Sequence, residues 1–270
     1  MDNALLTPVG HAYYRHIDNT EVNAMDDRSL EPGRLRGLRI LVTGGTSGLG
    51  RALVSELRKR GAHVAFVART AERVECVASE EPGTLGIVGD VADKDAIHRM
   101  ALQALGWRGG IDVLVNNASS LGPVPLALLA DTACEAFEAA LAANVLGPFR
   151  LTKALLGALA ASARESRGGI VVNVTSDAAV NAYANWGAYG ASKAALLHMT
   201  RIFGEECAPL GVRFLAVDPG DMDTPLHALA VPDADRSTLK RPAESAREIA
   251  DDIAESAAAA RTPSAVEAAA

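Results

Sequence analysis

The chain predicts an α/β fold built on a doubly wound parallel sheet, a three-layer α/β/α single domain, and three observations carry that reading. Apolar runs of strand length alternate with helical segments from residue 38 onward. Four of the six runs are nearly continuous in Val, Ile and Leu rather than alternating, as expected of strands covered on both faces. The glycine-rich and polar clusters fall at the ends of these runs, and a parallel sheet gathers its ligands at the carboxyl ends of its strands.

Strands are expected at 39–43, 63–68, 85–89, 113–116, 169–175 and 212–217, with helices near 48–60, 71–79, 93–105, 131–163, 187–208 and 243–258. Right-handed crossovers bring every strand C-terminus to one edge. Of the 270 residues 49% are apolar, enough to bury a sizeable core, and scarce aromatics with abundant alanine favour close-packed helices. Residues 1–37 are polar and aperiodic, and read as a flexible N-terminal extension ahead of a single domain at 38–270. Met25 offers an alternative start. The alanine-rich tail is read as holding a short last strand near 265–267.

A net charge of −7 without clustered Lys and Arg argues against a nucleic-acid surface. Cys76, Cys134 and Cys207 are scattered, with no zinc spacing and no disulfide framework, which fits a reducing compartment. The N-terminal residues lack the pattern of a signal peptide, and no run approaches the ~20 apolar residues that span a bilayer. A cytoplasmic protein without membrane contact is expected.

The first strand is followed by Thr43-Gly44-Gly45-Thr46-Ser47-Gly48-Leu49-Gly50 and then a helix. A strand, a glycine turn and a helix N-terminus make an anion site, because free N–H groups and the helix dipole face a pyrophosphate. Gly44, Thr46, Ser47, Gly48, Leu49 and Gly50 are therefore candidates for dinucleotide binding. The spacing TGxxxGxG resembles the nucleotide loop of the short-chain dehydrogenase/reductase family, whose domain is of the Rossmann type.

The second strand ends Val67-Ala68-Arg69-Thr70, without the carboxylate that binds the ribose hydroxyls of NAD. The Arg69 guanidinium suits a 2′-phosphate, which favours NADP(H) over NAD(H). A surface salt bridge is the plainer role for Arg69. The resemblance further implies that Asp90 and Val91 meet the adenine, and that Asn117 and Ala118 line the cofactor. Ser119 stands where the family's NNAG segment has glycine. Asp90 as a turn former and Asn117 as a strand-end cap are the structural alternatives. Pro219, Gly220 and Thr224 resemble the family's PG segment, with the Thr on the nicotinamide side.

Tyr189 and Lys193, four residues apart, share one helical face. A nearby ammonium is expected to lower the phenol pKa from its reference of ~10, giving a proton donor or acceptor near neutrality. Ser176 ends the fifth strand and can hold the same substrate oxygen, while Asp177 is expected to point to solvent. Asn144 sits inside the helix expected at 131–163, beside a kink marked by Gly147-Pro148. The resemblance implies that Asn144, Ser176, Tyr189 and Lys193 form a catalytic tetrad in which Asn144 holds a proton-relaying water, and that Tyr189 and Lys193 also touch the cofactor.

The expected activity interconverts a carbonyl and a secondary alcohol on a small molecule by hydride transfer; a non-catalytic NADP(H)-binding regulator is the alternative. A mobile lid is expected near 222–242. Pocket walls are expected from Leu121, Pro123, Trp186 and residues 226–229, with His227 read as a surface side chain. Apolar residues on more than one helical face suggest a homodimer or homotetramer.

Overall fold

A computed structural model of the protein describes residues 7–9, 12–16 and 35–261. Six parallel strands form the sheet's core: β3 (Arg39–Thr43), β4 (His63–Ala68), β5 (Leu85–Val88), β6 (Val113–Asn116), β7 (Ile170–Val174) and β8 (Arg213–Asp218). The sheet runs β8-β7-β6-β3-β4-β5, so the winding reverses between β3 and β6. Such a reversal leaves a crevice at the strand C-termini. β6 and β7 are buried along their whole length, as their unbroken apolar runs require.

Two layers of helix cover the sheet. α1 (Gly48–Lys59), α2 (Ala71–Glu80) and α8 (Pro242–Arg261) close one face, packing Leu53, Leu57, Val74, Ile249 and Ile253 against it. α3 (Ile97–Arg108), α5 (Gly147–Arg164) and α6 (Gly187–Cys207) close the other around Met100, Leu151, Leu155 and Leu159. Burying each such side chain is worth about 1.5–3 kcal/mol, and together they fix the two faces.

At the amino edge, away from the crevice, Asp112 is fully buried between Arg39 and Arg167. It accepts hydrogen bonds from the Arg39 guanidinium at 2.6 and 3.0 Å and from Ser162 Oγ at 2.7 Å. Burial raises its pKa, but these partners win and hold the carboxyl near 2. The network pins β3, β6 and α5 together.

Two expectations are corrected. Residues 1–37 do not lie wholly outside the sheet: β1 (Thr7–Val9) and β2 (Ala12–His16) extend it, β2 running parallel to β8 and β1 antiparallel to β2. An edge strand such as β8 leaves N–H and C=O groups unpaired, and the β-prone segment Ala12-Tyr13-Tyr14 satisfies them. The long helix expected at 131–163 is divided. α4 (Cys134–Leu141) passes into a π-helical turn at Ala142–Leu146 and then α5, because the wider turn accommodates Asn144 ahead of Pro148. Residues 265–267, where a last strand is expected, lie outside the described residues. α7 (Pro225–Ala230), a short helix, follows β8.

Candidate active site

The glycine loop lies at the crevice. Gly48 takes a left-handed backbone (φ +49°), and a Cβ on Gly50 would stand 2.1 Å from the Gly44 carbonyl oxygen. Only glycine permits this approach, and it leaves main-chain N–H groups facing the cleft at the start of α1. The loop is tied to the end of β6: Asn117 Nδ2 donates to the Thr43 carbonyl at 2.8 Å, while Thr43 Oγ1 accepts the N–H groups of Asn117 and Ala118 at 3.0 Å each. Asn117 is thus a brace between two strand ends as well as part of the lining.

One cleft of about 450 Å³ runs along this edge, and all sixteen residues expected to bind cofactor line it. Arg69 is exposed there, and Arg73, in the first turn of α2, joins it. Among the described residues no carboxylate pairs with either, so two guanidinium groups stand unneutralised at the end of β4. Arg73 escaped the sequence reading; its spacing four residues after Arg69, on the first turn of α2, is the signal that would have found it. Asp90 is both turn former and lining residue, its Oδ1 accepting the Ala92 N–H at 2.9 Å. Thr224 Oγ1 caps α7 by accepting the His227 N–H at 3.1 Å. A glycine cradle, a helix N-terminus and two unpaired guanidinium groups fit a dinucleotide phosphate.

Of the four residues expected to be catalytic, Ser176, Tyr189 and Lys193 line the cleft and Asn144 stands behind it, fully buried. Asn144 Nδ2 donates to the Ser120 carbonyl at 2.7 Å and to Ser192 Oγ at 2.8 Å. Its Oδ1 accepts the Ser120 N–H at 2.8 Å and Ser119 Oγ at 3.2 Å. The amide's four hydrogen-bonding positions are filled, so this side chain fixes the 119–120 segment against α6.

Lys193 is buried, its Nζ donating to the Val174 carbonyl at 2.7 Å and lying 5.5 Å from the Tyr189 ring centre. Burial drives its pKa down to about 8. Burial also drives the Tyr189 phenol up, to about 12, against the lowering effect of the Ser176 and Ser119 hydroxyls. This corrects the expectation of a lowered phenol pKa: loss of hydration dominates, and the Asp218 and Asp177 carboxylates push the same way. The phenol therefore holds its proton at neutral pH.

Asp177 is likewise corrected. It does not point freely to solvent but accepts Tyr183 Oη at 2.6 Å and Ser176 Oγ at 3.1 Å. The cleft is also lined by Leu121, Val124, Trp186, Leu226, Leu229 and Ala230, with Val124 where Pro123 was expected. The Trp186 ring meets Tyr189 edge-on at 5.7 Å. His227 turns inward, with only 13% of its side chain exposed. The expected lid is clasped at its ends, where the Asp223 N–H donates to the Lys240 carbonyl at 2.9 Å and the Lys240 N–H to Asp221 at 3.0 Å.

Fold and site together place a tyrosine–lysine pair beside a glycine-cradled cleft at the switch point of a doubly wound sheet. The short chain dehydrogenase profile matches residues 39–235, and the chain belongs to that family of oxidoreductases. It is 32% identical over 204 residues to the L-xylulose reductase of Bos taurus, covering 76% of this chain and 80% of the relative. With the sorbitol dehydrogenase of Cereibacter sphaeroides it shares 33% identity over 191 residues, 70% of this chain and 72% of the other. A short chain dehydrogenase from Shigella flexneri complexed with NADP superposes with a TM-score of 0.74 at 28% identity, over 79% of this chain and 90% of that one. The 3-ketoacyl-(acyl-carrier-protein) reductase of Brucella melitensis, complexed with NADH, gives 0.77 at 25% identity, over 83% and 93%.

Proposed function

We propose that the chain is an NADP(H)-preferring reductase or dehydrogenase that interconverts a small-molecule carbonyl and its secondary alcohol, with Tyr189 as the acid and base. The observation that carries this reading is the buried phenol, protonated at neutral pH, facing the same cleft as the glycine cradle and the unpaired Arg69.

When bound, the reduced nicotinamide supplies a hydride to the carbonyl carbon and is left oxidised. Tyr189 gives its phenolic proton to the carbonyl oxygen, so that oxygen leaves as a hydroxyl. Ser176 lies at the end of β7 beside the phenol and steadies the same oxygen. Lys193, as an ammonium below about pH 8, offsets the negative charge that Tyr189 acquires. Asn144 holds segment 119–120 and α6 in register, and is a positioning residue. Arg69 and Arg73 take the phosphate that distinguishes NADPH from NADH, with Gly44, Gly48 and Gly50 on the pyrophosphate. Oxidation of an alcohol runs the same steps backward.

Half-exposed apolar side chains on the outer faces of α5 and α6, Phe149 and Ile202, support a homo-oligomer. The deciding experiment titrates the protein with NADPH by fluorescence and assays carbonyl reduction in wild type and Tyr189→Phe. Cofactor binding should survive the substitution and turnover should not. Full turnover in Tyr189→Phe would remove the residue from the chemistry.

A further inference from the structure

The substrate end of the cleft has little with which to bind a polar molecule. Its walls are Leu121, Val124, Trp186, Leu226, Leu229 and Ala230, and Val124 and Leu229 remain about half exposed at the mouth. The hydroxyl of Ser119 donates to Asn144, and the Ser120 backbone is held by Asn144 in both directions. Among the described residues the cleft's lysine and arginines lie elsewhere. Arg69 and Arg73 follow β4, and Lys193 donates to the Val174 carbonyl. Asp177 and Asp221 add negative charge on this side. A carboxylate or phosphate on the substrate would meet no cation here, and most of the wall area offers a polyol no partner.

One polar atom stands out against these walls. His227 Nδ1 is buried and has no hydrogen-bond partner among the described residues, although the residue is part of the cleft lining. Its Nε2 lies 3.9 Å from Asp221 Oδ1. With its proton on Nε2, the nitrogen nearer Asp221, the ring keeps a lone pair on Nδ1. A buried lone pair without a donor is a cost that a ligand hydroxyl or N–H would remove.

We propose that the substrate is a largely apolar ketone, or its alcohol, bearing a single hydrogen-bond donor beyond the reacting oxygen, and that His227 Nδ1 accepts this donor. The inference rests on the proposed reductase reading. It gives His227 a specificity role: apolar walls hold the body of the substrate, and the imidazole fixes which way round the carbonyl meets Tyr189. It also separates this chain in preference from relatives named for xylulose and sorbitol.

The test compares kcat/KM with NADPH for three probes: acetophenone, 2-hydroxyacetophenone, which adds one hydroxyl, and L-xylulose, a polyol. The hydroxyketone should exceed acetophenone by roughly tenfold to hundredfold, and L-xylulose should be the poorest. In His227→Ala the ratio of hydroxyketone to acetophenone should fall to about one, and His227→Asn, whose amide oxygen replaces Nδ1, should restore part of it. Circular dichroism melting establishes that each variant is folded. A preference for L-xylulose, or an undiminished ratio in His227→Ala, overturns the inference while leaving the reductase reading in place. No turnover of any probe by a wild type that binds NADPH overturns both.

Discussion

The glycine loop between β3 and α1 offers main chain to the cleft, whereas α7 and the segment from Ser119 to Leu126 offer side chains. At the first end the ligand surface is set by backbone geometry: a left-handed Gly48, a Gly50 pressed on the Gly44 carbonyl, and a brace from Asn117. At the second, apolar side chains from the buried Leu121 to the half-exposed Val124 and Leu229 set it, with one imidazole among them. A surface made of main chain tolerates almost no substitution and binds a part common to many ligands. A surface made of side chains can be exchanged residue by residue, so substrate choice can change while cofactor binding stays.

Substitutions at the two ends should therefore fail in different ways. Tyr189→Phe, at the junction, should lower kcat by about 10²–10⁴-fold, with NADPH affinity kept. Comparable turnover in both proteins would break the assignment. Gly50→Ala should damage the cofactor end and the fold together, since its methyl meets a carbonyl oxygen; overpacking of this kind costs about 1–3 kcal/mol. A lowered Tm with NADPH affinity down by about tenfold or more is expected, and wild-type values for both would deny the loop its rigidity.

Arg69→Ala should shift the NADPH-to-NADH affinity ratio toward NADH by roughly tenfold to hundredfold, and adding Arg73→Ala should extend the shift. An unchanged ratio in the double variant would remove both arginines from cofactor choice. The pH dependence follows from burial at the junction. Lys193, with its pKa lowered to about 8, loses its proton as pH rises through that value, while Tyr189, near 12, keeps its own. The kcat/KM for reduction should be flat near neutrality and decline above about pH 8, and a rise there would contradict the role given to the ammonium. The smallest effect belongs to the far end: Leu229→Ala should raise KM for an aryl ketone by about twofold to fivefold and leave NADPH binding alone.

The same contrast governs how much was legible in the sequence. The strand ends and the glycine spacing are local properties, written in short apolar runs and in residues without side chains. Their parallel arrangement followed, and with it the edge on which the cleft lies. What escaped depends on packing between distant segments. Nothing local to Asn144 distinguishes a kink from a π-helical turn, since the turn's shape depends on Ser120 and Ser192. His227 is an unremarkable residue of a six-residue helix until that helix is laid over the cleft. The phenol's pKa was read from its charged neighbour, yet the burial that reverses its direction comes from Trp186 and the surrounding walls. β2 was missed for a similar reason: its partner stands at the far end of the chain.

That partnership bears on how the protein is made. Ala12 is in register with Phe214, about two hundred residues later, so a strand made early pairs with β8, the last of the described strands in chain order. Sequence separation of this size slows folding, because a long loop must close before the pairing is rewarded. Until synthesis has passed Asp218, β2 lacks its parallel partner, and the segment carrying Pro219, Gly220 and Thr224 has not yet emerged in full. Closing the sheet and completing the cleft thus fall at nearly the same moment of biosynthesis, and the nascent chain depends on its surroundings until then.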